Sequence, residues 1–414
     1  MRIPHLRWWI AGMIFLASVL NYIDRQTPSI LAPTIQRELQ LTNKDYASVV
    51  NLFLVAYTAS LVLSGRLVDR IGVRASLALF VGWWSVANIL TAFSRSLSSL
   101  GAFRFMLGLG EAGNWTAAPK AVAEWFPACE RGTAIGLYTL GATLGATIAP
   151  ILVVGMSTRF GWQAVFVVTG LAGLVWLVPW LWLYRRPAEN PHITERERMH
   201  VAGAGAAPDA AAAPAEGWRA VLRRREVWRL MLARLLTDPV WYFYQFWFAK
   251  YLHDERGVGQ TGLAVTWIIF LAADIGTLGG GWFSGQLIKR RYSPPASRLR
   301  IMLAAACVIP VSCLVPQVEA LPLVLGIGML VVFAHMSWLI NLSALVVDLV
   351  PARSLATTFG FIAAGSSAGG IAMNWAVGRL VTHYSYGPAF VAMACVHPLA
   401  LLLNWRLRKS PSAL

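Results

Sequence analysis

The sequence predicts an all-α polytopic membrane protein built as two six-helix halves, and three observations predict it. Of its 414 residues 57% are hydrophobic and only 13% charged, with 19 Trp, whereas a soluble domain carries about 25% charged residues. Apolar runs of about 20 residues, long enough to cross a bilayer, recur about twelve times between Trp8 and Trp405. One long polar stretch, Arg185 to Arg225, divides them.

The first half, 1–184, carries predicted spans at approximately 8–34, 44–67, 73–93, 97–119, 131–157 and 162–184. An interdomain loop follows at 185–226. It holds an acidic-basic patch from Thr194 to Arg198, an Ala/Gly/Pro stretch from Ala202 to Gly217 and the cluster Arg223-Arg224-Arg225. That composition predicts a flexible cytoplasmic connection. The second half, 227–414, carries spans at approximately 228–251, 261–287, 299–316, 321–347, 355–380 and 387–405.

A formal charge of +16 invites a nucleic-acid reading, but the charge is sorted by loop. Nearly all of it falls on the termini and the even-numbered connections (1–7, 66–74, 120–131, 185–229, 289–300, 348–353, 406–409), as the positive-inside rule demands. Both termini are therefore expected in the cytoplasm, with no nucleic-acid partner. Arg2 and Arg7 precede an apolar run, but that run ends in Asp24-Arg25 without a small-residue cleavage site, so no removal of a leader is expected. Cys129, Cys307, Cys313 and Cys395 show no metal-ligand spacing, and packing is their expected role.

The halves resemble each other. Glu124-Trp125-Phe126-Pro127-Ala128 through Gly136 aligns without gaps on Asp348-Leu349-Val350-Pro351-Ala352 through Gly360, which sets Glu111 opposite His335. A shorter match sets Gly65 to Arg70 beside Gly281 to Gln286. Internal repeats of this kind are common in secondary transporters.

The segment Gly65-Arg66-Leu67-Val68-Asp69-Arg70-Ile71-Gly72-Val73-Arg74 resembles the signature loop of the major facilitator superfamily. The resemblance implies that fold, with twelve helices in two pseudo-symmetric bundles and transport by alternating access. It also implies a conformational gate at Gly65, Asp69, Arg70 and Arg74, in which Asp69 latches one state. Gly285 stands where the second half would carry the equivalent Asp, so that latch is expected to be weaker or absent. Tyr22-Ile23-Asp24-Arg25, with Glu111-Ala112-Gly113 and Pro119, resembles the anion:cation symporter family. The second half adds Thr237 to Tyr244 with Trp247, Lys250 and Tyr251, and Ala272-Ala273-Asp274-Ile275-Gly276; these are similar to the hexuronate transporters. That implies a bacterial inner-membrane symporter importing glucuronate or galacturonate with protons, with no enzyme activity and no cofactor. The alternatives are a related carrier for an aldonate such as galactonate, or for an aromatic or dicarboxylic acid, and a non-transporting membrane sensor. A monomer is the family's default.

The residues themselves suit an organic anion. Asp24 and Arg25 fall inside a predicted span, where a charge costs roughly 2.5–3.5 kcal/mol on insertion scales and is retained for internal work. Arg25 can meet a carboxylate with its guanidinium fork. Tyr22, Tyr57, Asn114, Trp115, Trp241, Tyr244, Asn341 and Asn374 can meet hydroxyls or stack on a sugar ring, although packing or an interfacial belt is open to each. Arg104 and Glu111 are seven residues apart, on one helix face. Asp24, Glu111 and Arg104 are the expected proton-coupling group, protonation of a carboxylate freeing Arg25 or Arg104 for the substrate; a static ion pair is the alternative. Asp238 with Arg234, Asp274 and His335 are open to structural or functional roles.

Several motif matches are decoys. Gly108 to Gly113 fits G-x-G-x-x-G but lies in a predicted span rather than between a strand and a helix. Its glycines, like Gly141 and Gly145, are expected to let helices approach. Gly365 to Gly369 fits G-x-S-x-G without the strand-turn-helix context of a hydrolase. The sequons at Asn114 and Asn341 fall within predicted spans. No metal site is expected.

Overall fold

The computed structural model describes residues 2–202, 216–258 and 265–405. Regular structure among the described residues is helical, apart from one isolated parallel bridge between Ile3 and Ile193. The long helices are α1 (Leu6–Ile30), α3 (Asn43–Thr91), α4 (Leu97–Trp125), α5 (Ala128–Phe160), α6 (Trp162–Leu183), α9 (Arg225–Phe246), α11 (Trp267–Lys289), α12 (Pro294–Val308), α13 (Leu321–Leu349), α14 (Leu355–His383) and α15 (Gly387–Asn404). Short helices α2 (Ala32–Glu38), α7 (Glu195–Ala202), α8 (Trp218–Arg223) and α10 (Phe248–Arg256) lie between them.

Nine helical segments among the described residues are long and apolar enough to cross a membrane, so this is a multi-pass membrane protein. A total of twelve requires α3 to cross twice and α4 and α9 to cross despite their charges. At 1.5 Å per residue the 49 residues of α3 are ample for two passes. The break is Gly72, at φ 81 and ψ 165, a conformation that glycine adopts without Cβ strain. The expected loop at 66–74 thus contracts to a single non-helical residue. The expected span 299–316 is likewise divided, α12 continuing as a 3-10 helix over Ile309–Gln317, where Pro310 cannot donate a backbone hydrogen bond.

Two compact units make up the chain. The first comprises Met1–Pro127, Leu137–Glu216 and Pro351–Gly360; the second comprises Ala128–Gly136, Gly217–Val350 and Phe361–Leu414. Each unit therefore includes a short segment from the other half of the sequence.

Within the first unit, small residues set the helix spacing. A Cβ at Gly108 would clash with the Phe53 carbonyl, one at Gly113 with the Phe80 ring, and those at Gly141 and Gly145 with the Phe15 and Val19 carbonyls of α1. Close backbone approach of this kind replaces the hydrophobic driving force that lipid removes. The aromatic column Trp176, Trp180 and Tyr184 stacks along α6 with centroids 5.1 and 4.4 Å apart.

The interdomain connection is less free than its composition suggests. Asn190 is buried and donates to the Leu183 carbonyl at 2.8 Å, and the Ile3 amide donates to the His192 carbonyl at 2.8 Å. Glu197 of α7 accepts from the Leu6 and Arg7 amides at 2.8 and 3.1 Å and from the Arg7 guanidinium at 2.9 Å. A carboxylate thus caps the N-terminus of α1, where the helix dipole favours it. The Ala/Gly/Pro stretch at 203–215 lies outside the described residues.

The second unit repeats the small-residue logic. Gly276 and Gly280 of α11 leave no room for a Cβ against Phe333 and Ser337 of α13. Ser337 and Asn341 then donate to the Gly276 and Gly280 carbonyls at 3.0 and 2.9 Å.

Candidate functional site

The charged centre of the first unit is a pair. Arg25 Nε donates to Glu111 Oε2 at 2.9 Å, and Arg25 Nη2 lies 2.9 Å from the same oxygen. Glu111 is fully buried and its Oε1 has no hydrogen-bond partner. Two guanidinium nitrogens therefore converge on one carboxylate oxygen, leaving the fork unmatched by a second oxygen. The Arg25 carbon Cζ sits 4.4 Å from the Tyr57 ring centroid and 4.9 Å from that of Tyr22. Cation–π contact steadies the guanidinium without spending its N–H groups.

Arg104, expected as a partner of Glu111, makes no ion pair at bonding distance among the described residues, though it lies within electrostatic range of Glu111. Its Nη1 is buried without a hydrogen bond and its Cζ lies 5.1 Å from the Phe53 ring centroid. Asp24 lies within electrostatic range of Glu111 and Arg104 but takes its hydrogen bonds elsewhere. Successive helical residues point about 100° apart, so with Arg25 directed at α4, Asp24 turns toward α3 and α6. There Asn88 Nδ2 donates to Asp24 Oδ1 at 2.8 Å, and the same amide nitrogen reaches Thr169 Oγ1 at 2.8 Å and the Phe166 carbonyl at 3.2 Å. Asp24 Oδ2 is buried without a partner. Asn88 was not singled out by sequence reasoning; a polar amide within an apolar span was the available signal.

Among the remaining first-unit candidates, Trp115 stands edge-on to Tyr22 and Tyr138, with centroids 6.2 and 6.0 Å away, and its buried Nε1 lacks a partner. Asn114 is buried and donates to Ser18 of α1 at 3.0 Å, spending one of its N–H groups on helix contact.

In the second unit, Tyr244 is buried with its hydroxyl unpartnered, beside Phe248 at a centroid distance of 5.0 Å. Trp241 is half-buried, edge-on to Phe270. Asn341 directs its amide nitrogen to two backbone carbonyls, Gly280 and Ser337. The side chains of Asn374 and Lys250 lie outside the described residues. Arg234 and Asp238, one turn apart on α9, form an ion pair at 2.7 Å, and Arg234 also donates to Ser343. His335 Nδ1 and His397 Nε2 lie 3.1 Å apart, both rings fully buried.

The gate residues occupy the end of α3 before Gly72 and the start of its continuation. Asp69 accepts from Lys120 at 2.8 Å and caps α14 through the Ala356 and Thr357 amides at 3.2 and 2.7 Å and the Thr357 hydroxyl at 2.6 Å. Gly65 permits this approach, since a Cβ there would strike the Ala356 carbonyl. Arg74 donates to the Leu181 carbonyl, and Arg70 is exposed.

In the second unit, where the equivalent latch is expected to be weaker or absent, a different acid gathers the arginines. Asp348 accepts from Arg131 at 2.9 Å and Arg298 at 3.1 Å, and Arg298 reaches the Ala128 carbonyl and Ser284 at 2.6 Å each. Gly285 is small because a Cβ there would collide with the Cys129 carbonyl.

Comparison with known proteins agrees with this architecture. The family model described as Major Facilitator Superfamily matches residues 14–343. A hexuronate transporter of Escherichia coli K12 is 29% identical, the alignment covering 100% of this chain and 96% of that protein. A galacturonate transporter of Dickeya chrysanthemi is 31% identical over 68% of this chain and 82% of its own length. A D-galactonate transporter of Escherichia coli O6:H1 is 28% identical over 94% and 93%. Among solved structures, the proton:xylose symporter XylE superposes with a TM-score of 0.72 at 13% identity, covering 98% of each chain, a likeness of fold.

Proposed function

The chain belongs to the major facilitator superfamily, and from that premise we propose that it is a proton-coupled symporter importing a sugar-acid anion, a hexuronate such as glucuronate or galacturonate, across a bacterial inner membrane. Both termini face the cytoplasm in this reading, as the loop charges favour. Its twelve helices transport by alternating access, and the carrier works as a monomer without a cofactor.

The observation that carries the reading is the Arg25–Glu111 pair, in which two guanidinium nitrogens share one carboxylate oxygen and the other oxygen is buried without a partner. A proton arriving on Glu111 removes the counter-charge from Arg25. The guanidinium fork is then free to take both oxygens of a substrate carboxylate, its preferred geometry. Tyr22 and Tyr57 beside it hold the cation in place and offer phenol groups to sugar hydroxyls. Trp115, with Asn114, extends this polar lining, and Trp241, Tyr244, Asn341 and Asn374 are the second unit's candidates for ring stacking and hydroxyl contact. Loss of the proton restores the internal pair and releases the anion. Asp24, held by Asn88, is a second carboxylate able to take up a proton, and Arg104 sets the electrostatic field along the same helix as Glu111. Asp69 and Arg74, with Gly65 and Arg70, act as the conformational gate.

A second reading is supported by Arg104, a buried cation without an ion pair, which suits the second carboxylate of a dicarboxylic acid. Counterflow of radiolabelled glucuronate in proteoliposomes, challenged with galacturonate, galactonate, citrate and an aldarate, tests both. Saturable glucuronate exchange, followed by accumulation under an inward proton gradient, supports the hexuronate reading. Preferential competition by the aldarate or citrate, which carry more than one carboxylate, favours the second. Absence of exchange by a folded preparation with every one of these acids rejects both.

A further inference from the structure

A cavity of about 400 Å³ lies at one end of the first unit, lined by Gly72, Arg74, Glu124, Tyr184, Arg185 and Arg186 among others. We propose that it binds the headgroup of an anionic diacyl phospholipid.

The charge inventory is the first argument. Three arginines border the cavity against two acids, Glu124 and Glu189. Glu124 is committed elsewhere, accepting from the Tyr184 hydroxyl at 2.7 Å, and Glu189 stands exposed at the rim. Arg74 is fixed by its bond to the Leu181 carbonyl, and Trp180 in turn donates to the Arg74 carbonyl at 3.1 Å. Arg185 is exposed and Arg186 half-buried. Neither side chain makes a hydrogen bond or an ion pair among the described residues, although Arg186 lies within electrostatic range of Glu124, so two guanidinium forks keep their N–H groups for phosphate oxygens.

Surroundings decide in favour of lipid over a soluble anion. The same helix end presents Val178, Leu181 and Trp182 outward, 71%, 42% and 52% exposed, and Ile71 across the cavity is 46% exposed. Acyl chains can lie on this apolar wall while the phosphate enters the basic mouth. Trp182, its ring 4.6 Å from that of His192, marks the level at which indoles gather between apolar and polar phases. Basic pockets between membrane helices are the general form of a lipid-headgroup site.

A second cavity in the same unit, about 440 Å³, shows the contrast. It is lined by one arginine and one acid, Arg95 and Glu38, with Ser94 and Gln163, so it offers no excess of cations. The phospholipid site borders Gly72, the single break in α3, and thereby touches the turn that carries the gate residues.

Native mass spectrometry of the full-length carrier with phosphatidylglycerol, phosphatidylcholine, inorganic phosphate and glycerol 3-phosphate tests the assignment, with unfolding temperature as a parallel reading. Phosphatidylglycerol is expected to bind at least about tenfold more tightly than phosphatidylcholine and to raise the unfolding temperature. Arg185→Gln/Arg186→Gln is expected to lose about tenfold in that affinity, while Arg95→Gln at the second cavity loses none. Should the double variant not fold, Arg185→Gln alone, at an exposed position, is expected to lose about threefold. Equal binding of the two lipids, or unchanged phosphatidylglycerol affinity in the arginine variants, would overturn the proposal. Binding of inorganic phosphate or glycerol 3-phosphate as tight as that of the lipid would assign the cavity to a soluble anion and overturn it also.

Discussion

Around their candidate site residues the two units handle buried polarity differently. In the first, acid and cation come from different helices, Arg25 on α1 and Glu111 on α4, while Arg104 and Asp24 are buried without ionic partners at bonding distance. In the second, the ion pair Arg234–Asp238 closes within one turn of one helix, and His335, which the internal repeat sets opposite Glu111, meets another histidine rather than an arginine; the second unit's inter-helix pairs, Asp348 with Arg131 and Arg298, involve none of its candidate substrate-binding residues. A pair between helices responds when either helix moves; a pair within one turn travels with its helix. Under the proposed function, the first unit's pair links charge to transport, and the second unit's candidates supply rings and neutral contacts.

The largest expected effect breaks the first unit's cation. Arg25→Ala should lower glucuronate counterflow by about 100-fold or more, equivalent to about 3 kcal/mol of lost binding, in a carrier that still folds by thermal unfolding. Next, Glu111→Gln should keep exchange within about threefold yet abolish accumulation under an imposed proton gradient, because the amide cannot carry the coupling proton while still leaving Arg25 uncompensated. Normal accumulation by this variant would remove Glu111 from coupling. Asp24→Asn should give the same split in weaker form, since Asn88 can still bond the new amide oxygen.

The second unit should answer differently. Arg234→Gln is expected to destabilise by about 3 kcal/mol, as removing one member of a buried pair strands the other charge. Arg234→Gln/Asp238→Asn should recover most of that loss in chemical denaturation. Recovery of stability without recovery of transport would show a role in transport beyond structure. The smallest effect is expected from His335→Gln, with accumulation within about twofold of the parent. A loss as large as that of Glu111→Gln would erase the distinction between the units.

Much of the architecture was legible in residue order. Apolar run length located the helices, and the glycines at 108, 113, 141 and 145 announced the close helix contacts that Phe53, Phe80, Phe15 and Val19 now make. The Asp69 motif implied a contact with a helix N-terminus, and Asp69 caps α14. Other features were not legible. The stretch after Arg185 has the composition of a linker, yet Asn190 ties it back to the end of α6 and Glu197 docks it onto the N-terminal helix through specific hydrogen bonds. Gly285 implied a weaker or absent second latch, but a motif read along the sequence did not show that Asp348, from another helix, pairs with Arg131 and Arg298.

By itself the sequence determined the membrane class, the order of its helices and the requirement that Asp24, Arg25, Arg104 and Glu111 find internal partners, since lipid offers none. Only the tertiary structure decided which partner Asp24, Arg25 and Glu111 take, and set Arg104 against the Phe53 ring. Helical spacing put Arg104 and Glu111 on one face, but the packing of α1 against α4 gave Glu111 to Arg25, and the turn of one residue along α1 carried Asp24 away to Asn88. Periodicity constrains the direction of a side chain; what stands in that direction is set by the neighbouring helix.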